Sequence, residues 1–194
     1  MASVRAAVAL NDQHKSLTEF VGEWHVVERM FPAPGIDPIV REGKASCKAL
    51  LEGRAVFMHS HLTNPDGSPY EAFVVATLNV HKSTLEGIFM DIHSFDGFDP
   101  MDGTHVKKLN YGVEGHAAAA ITSDATVKRV WNGSVTVPRK AAMFAGGPEQ
   151  LLGVDRVHMK LVENKINDGK WVLLGIMSDA HGNDYVGIEA TYTQ

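Results

Sequence analysis

A single cysteine is all the thiol chemistry this chain of 194 residues carries. Cys47 has no partner for an intramolecular disulfide, which excludes a stapled extracellular scaffold and leaves a free structural thiol on a strand. Long apolar runs are also missing. None approaches the roughly 20 residues of a membrane span, and MASVRAAVAL, with one Arg, is too weak for a secretory signal. The cytoplasm is the expected compartment. No Lys/Arg run occurs and the formal charge is −5, so neither nucleic acid nor an anionic membrane is an expected partner. Linkers, repeats and low-complexity stretches are absent as well, so residues 1–194 read as one domain, long enough to bury a real core.

Helix signals are scarce. One closing helix is predicted within 12–22, capped by Asp12, sharing a face through Leu17, Phe20 and Val21, and stopped by Gly22. The rest reads as strands broken by turn chemistry. WHVVERMF (24–31) ends at a Pro-rich loop, and Glu52-Gly53 signals a hairpin between 41–51 and 54–63. Asn64-Pro65-Asp66-Gly67 turns into the strand 70–80, and HKST turns into 85–95. DGFDPMDG (96–103) reads as a loop before a strand at 105–113, and shorter strands are expected at 116–122, VKRVW and SVTVP. Asn132-Gly133 reads as the turn joining the last two, better than as a glycosylation sequon. The stretch 139–153 suits a flap or outer cover, and a meander of three strands ends the chain. The fold class is therefore all-β, an antiparallel barrel or sandwich of about ten strands. Both faces of 70–80 and 85–95 are apolar, which calls for a cover over the outside or a mixed cavity inside. A homodimer or the 139–153 segment would supply the cover.

His14, Leu17, Gly22 and Trp24 form the pattern His-x-x-Leu followed by Gly-x-Trp. This resembles the lipocalin-like (calycin) barrels, and is most similar to a bacterial branch known only as a domain of unknown function. Gly87, Phe89 and Asp91 are similar to that branch's Gly-x-Trp-x-Asp strand, with phenylalanine in place of tryptophan. The resemblance implies a lipocalin-like barrel whose Trp24 closes one end beneath the helix. It covers 14–31 and 70–95 well and the final meander loosely. Some calycin-like barrels bind haem through one histidine, but no particular histidine here matches that pattern.

Ten histidines stand out, because imidazole titrates near neutrality, ligates metals and shuttles protons. His59 and His61 are two apart on one strand and share a face; so do Asp91 and His93, and Asp179 and His181. Gly53, His59 and His61 match the opening of a cupin metal motif, but the nearest following acid is Asp66 and the second cupin motif is absent. Another metal site could join His59 and His61 to His93 or Asp91. The acid–base reading takes the odd-numbered faces as the cavity wall. His59, His61, Asp91 and His93 are then the candidate catalytic groups. Phe57, Phe73, Phe89 and Met177 would line the wall, with hydrogen bonds from Tyr111, Tyr185 and Glu189. The bland reading leaves these histidines as solvated strand ends.

The expected function is binding of a small apolar or aromatic molecule in the barrel. Turnover, if any, would be of cofactor-free lyase, isomerase, hydratase or cyclase type. The alternatives are a non-catalytic carrier or sensor, and a metal-dependent enzyme on the His59/His61 pair. No cofactor and no resident metal is assigned.

Overall fold

The computed structural model describes residues 10, 12–32, 35–92, 99–105, 127–138, 154–178 and 183–194. A short helix α1 (Asp12–Thr18) precedes β1 (Gly22–Met30), β2 (Ile39–Leu50), β3 (Ala55–Thr63), β4 (Pro69–Asn79) and β5 (Thr84–Asp91). Then come β6 (Asp99–His105), β7 (Val127–Pro138), β8 (Val154–Asn167), β9 (Lys170–Ser178) and β10 (Asp184–Thr193). Consecutive strands pair antiparallel, and β1 pairs with both β2 and β10, so the ring closes and leaves no edge strand. Among the described residues, no helix is long and apolar enough to cross a membrane.

The expected all-β barrel of about ten strands is present, with two local differences. Residues 99–103 of the Gly- and Asp-rich stretch read as a loop belong to β6, which pairs with β5 and β7, and residues 96–98 lie outside the described residues. Asn132-Gly133 is not a turn: it lies mid-strand in β7, opposite Lys160 and Met159. Flanking ladders on both sides override the local turn preference. The helix ends at Thr18, and Val21 is exposed while Leu17 and Phe20 are buried. The segment 139–153 and the strands expected at 105–113 (beyond His105) and 116–122 lie outside the described residues.

Two apolar clusters occupy opposite faces of the sheet. The inner one includes Trp24, Val26, Ala45, Leu62, Ala72, Leu85, Trp131 and Trp171. The outer one, on β7–β10, comprises Val130, Val162, Val172, Leu174, Ile176 and Val186, with Phe31 and Ile166 packed against it. The residues of this outer cluster are buried, so the wall has core on both sides there, and β9 reads as a near-continuous apolar run, WVLLGIM. By contrast, Phe57, Phe73, Val75, Ile88 and Met90 on the outside of β3–β5 are only half-buried.

Inward positions are even-numbered on β1, β3 and β4 and odd-numbered on β2, β5 and β9. Paired residues share a face, so a connection with an even number of residues swaps parity. Five residues separate the paired Thr63 and Pro69, which keeps it; four separate Asn79 and Thr84, which swaps it. The expectation that odd-numbered residues face inward therefore holds on β5 and fails on β3 and β4.

Gly43 faces inward on β2 between Val26 and Leu62. A Cβ there would collide with the His61 carbonyl oxygen and lie 2.8 Å from Leu62 Cα, both backbone atoms of β3. Gly43→Ala should destabilise the barrel by about 1–3 kcal/mol, as overpacking does. Urea denaturation would show a lower midpoint at unchanged slope; an unchanged midpoint would mean that β2 and β3 separate freely there.

Candidate functional site

The barrel's two ends differ in chemistry. At the α1 end, Phe20 stacks on Trp24 (centroids 5.1 Å) and meets Trp171 and Tyr192 edge-on at 4.7 and 5.1 Å. Trp24 Nε1 donates to the Phe20 carbonyl at 2.9 Å, which satisfies the buried indole and ties β1 to the turn after α1. Arg129 lies 2.6 Å from Glu163 Oε2 and donates to the Ser16 carbonyl of α1 at 3.2 Å. Trp131 Nε1 donates to the same Glu163 oxygen at 3.0 Å, and Lys165 on β8 pairs with Glu19 at 3.3 Å. This end is a stopper of aromatic rings and paired charges.

The opposite end carries a different polar group. Arg41 is buried although it is an arginine, and its neighbours account for that. Its Nη1 donates to Glu28 at 2.9 Å, its Nε to Asn64 Oδ1 at 2.8 Å, and its guanidinium carbon lies 3.9 Å from the Tyr70 ring centroid. Tyr70 in turn donates its hydroxyl to Asp91 Oδ2 at 2.9 Å. Burial, then the negative charge of Glu28 and Asp91, pushes the Tyr70 phenol well up, so it remains a neutral donor. Burial also raises the Glu28 carboxyl against the opposing pull of Arg41. Between the two ends, Met58, Val74, Phe89, Leu173, Met177 and Ile188 face inward yet are only partly buried. Gly87 leaves room for Trp131: a Cβ there would lie 3.3 Å from the indole.

The residues singled out from sequence divide by face. Phe89 and Asp91 point inward, as do Met177 and, past the irregularity between Val186 and Ile188, Tyr185. Phe57, His59 and His61 on β3, Phe73 on β4 and Glu189 on β10 point outward. His59 and His61 thus stand on the other face of the wall from Asp91, and these three do not meet in one cavity. His93, Tyr111, Asp179 and His181 lie outside the described residues. Outside the barrel, His59 Nε2 is 2.6 Å from Glu71 Oε1, His61 Nδ1 is 3.5 Å from the same oxygen, and the imidazole centroids are 4.0 Å apart.

Sequence reasoning passed over Glu28, Arg41, Tyr70 and Glu71. A signal existed for the first three. Glu28 follows Trp24 and Val26 at strand period, Arg41 heads the stripe Gly43, Ala45 and Cys47, and Tyr70 heads Ala72, Val74 and Ala76. A charged or hydroxylated residue closing an apolar stripe marks a barrel rim. Glu71 had no such signal, because its role depends on the β3–β4 register.

The model of a family described as "Protein of unknown function (DUF1579)" matches residues 10–134. No curated protein matches the chain. Among solved structures, the protein Rv2717c from M. tuberculosis is similar, with a TM-score of 0.54 at 12% identity over 96% of this chain and 99% of that one. At that identity the likeness is one of fold.

Two outcomes follow from the interior. The Glu28 native pKa is raised above its unfolded value, so the stabilisation it contributes is complete below the ordinary carboxylate range and is lost as pH rises through the raised native value. Urea denaturation across that range should show wild type losing stability relative to Glu28→Gln as pH rises; parallel curves would refute it. Burial pushes the Cys47 thiol up to about 12. Iodoacetamide at neutral pH should leave the native protein unlabelled and modify it stoichiometrically in urea; rapid native labelling would contradict the buried placement.

Proposed function

The chain belongs to the DUF1579 family of proteins of unknown function, and we propose that its barrel holds a small apolar or aromatic molecule. One observation carries this reading. Met58, Val74, Phe89, Leu173, Met177 and Ile188 face the interior and retain accessible surface there, next to the Arg41–Glu28–Tyr70–Asp91 group. Apolar walls with a few convergent polar groups are the usual make-up of a small-molecule site. In this reading the barrel is lipocalin-like, α1 closes its floor, and the ligand enters at the rim where Tyr70 and Asp91 stand.

Carriage or sensing without turnover is the favoured form of the function. The inner polar groups are largely occupied with each other: Arg41 with Glu28 and Asn64, Tyr70 with Asp91. His59 and His61, the acid–base candidates of the sequence, face away from this interior. If turnover occurs, Asp91 and Tyr70 are the groups placed to exchange a proton with a bound ligand, and Asp91→Asn would abolish it while retaining binding.

A polarity-sensitive anilinonaphthalene dye tests the binding site. Wild type should take up about one equivalent, and Val74→Trp, which fills the interior, should weaken the dye by at least about tenfold, the scale of a steric change in an apolar pocket. Phe89→Ala is a second, space-creating variant that should alter the affinity, whereas the outward His59→Ala should leave it unchanged. Equal affinity in wild type, Val74→Trp and Phe89→Ala would place the dye elsewhere and overturn the reading.

A further inference from the structure

We propose that the outer face of β3 and β4 carries a divalent transition-metal site made by His59, His61 and Glu71. It is independent of the cavity and lies on the other side of the wall. The strand supplies its first element. His59 and His61 are two apart on β3, so their rings project from one face, and their centroids are 4.0 Å apart. The register supplies the second. Glu71 is directly opposite His61 on β4, and its Oε1 lies 2.6 Å from His59 Nε2 and 3.5 Å from His61 Nδ1. One donor atom from each of the three residues falls within 4.8 Å of the other two.

These separations match what an ion requires. Ligand atoms about 2.0–2.1 Å from a tetrahedral zinc stand about 3.3 Å from one another. Small side-chain rotations bring the three donors to that spacing, and the backbone beneath them is held by two ladders of a closed barrel. A simple ion pair accounts for one imidazole on the carboxylate. Here two imidazoles present a nitrogen to the same oxygen, which is the convergence a metal uses. Two imidazoles and one carboxylate favour Zn²⁺, Ni²⁺ or Cu²⁺ over Mg²⁺ or Ca²⁺, which prefer all-oxygen sets.

The surroundings are compatible with the ion. Phe73 is opposite His59, and Phe57 lies 6.0 Å from the His59 ring and 6.1 Å from Phe73, which gives one side of the site an apolar ledge. Lys44, opposite His61 on β2, is exposed, and its long stem lets the ammonium stand off in water. The side chains of His61 and Glu71 keep 64% and 49% of their surface accessible, so solvent or an exogenous oxygen or nitrogen donor completes the coordination. Three protein ligands with an open position is the pattern of an ion that can take a further ligand, in contrast to a closed structural site.

Tag-free protein stripped with chelator and titrated with Zn²⁺ by calorimetry is the test. The expected result is one equivalent bound at neutral pH. His59→Ala, His61→Ala and Glu71→Gln should each lower the affinity by at least about tenfold, because losing a ligand costs no less than losing its outer partner. Thermal melts should show these variants folded, and the dye of the cavity assay should bind them as it binds wild type. Cu²⁺ bound in place of Zn²⁺ should give an electron paramagnetic resonance spectrum with two nitrogen couplings, one of them lost in His59→Ala. Absence of stoichiometric binding, or binding retained in the His59→Ala/His61→Ala double variant, would overturn the proposal.

Discussion

Closure of β1 onto β10 is the constraint on which the rest of this structure depends. Once the ring is shut, each strand has a ladder on both sides, and its residues divide between the inside and the outside. A shift of one residue in any ladder would exchange the two sets. Gly43 shows how tightly the register is held: the β3 backbone occupies the space its side chain would need.

Filling the enclosed space is a separate problem, solved differently at each end. At the floor, Phe20, Trp24, Trp171 and Tyr192 interlock beneath α1, and toward the rim Arg41, Glu28, Tyr70 and Asp91 form a polar group. Both ends use the same polar device. A buried arginine is paired with a glutamate and laid on an aromatic ring: Arg129 with Glu163 and Trp171, Arg41 with Glu28 and Tyr70. Taking such charges out of water is costly, and removing one partner would strand the other. What the pairs add is geometry. Arg129 holds α1 to the barrel through the Ser16 carbonyl, and Arg41 joins β1, β2, β4 and the Asn64 turn at the rim. The outer face repeats the contrast, sealed on β7–β10 and half-open on β3–β5.

Much of the architecture was legible from residue order. Period-two stripes and turn residues place eight of the strands close to where they stand, and the Gly-x-Trp opening fixes the helix-then-strand start that Trp24 and Phe20 realise through an indole-to-carbonyl hydrogen bond. Local chemistry misled at two places for one reason. DPMDG (99–103) and Asn132-Gly133 carry strong turn residues, yet the strands beside them impose extended backbone, and they lie in β6 and β7. The polar groups of the interior were half-legible, as charged residues interrupting apolar stripes at Glu28 and Arg41.

The sequence by itself determined that this chain is a strand-rich, one-cysteine antiparallel domain with a short helix, because alternation and turn chemistry are local properties. It also determined that His59 and His61 share a face, since two residues along a strand always do. Only the tertiary structure decided which face that is. The four residues between Asn79 and Thr84 swap parity where the five between Thr63 and Pro69 do not, so Asp91 turns inward while His59 and His61 turn out toward Glu71. Which side chains meet across strands is set by register, and register is a sum over two distant segments that neither one encodes alone.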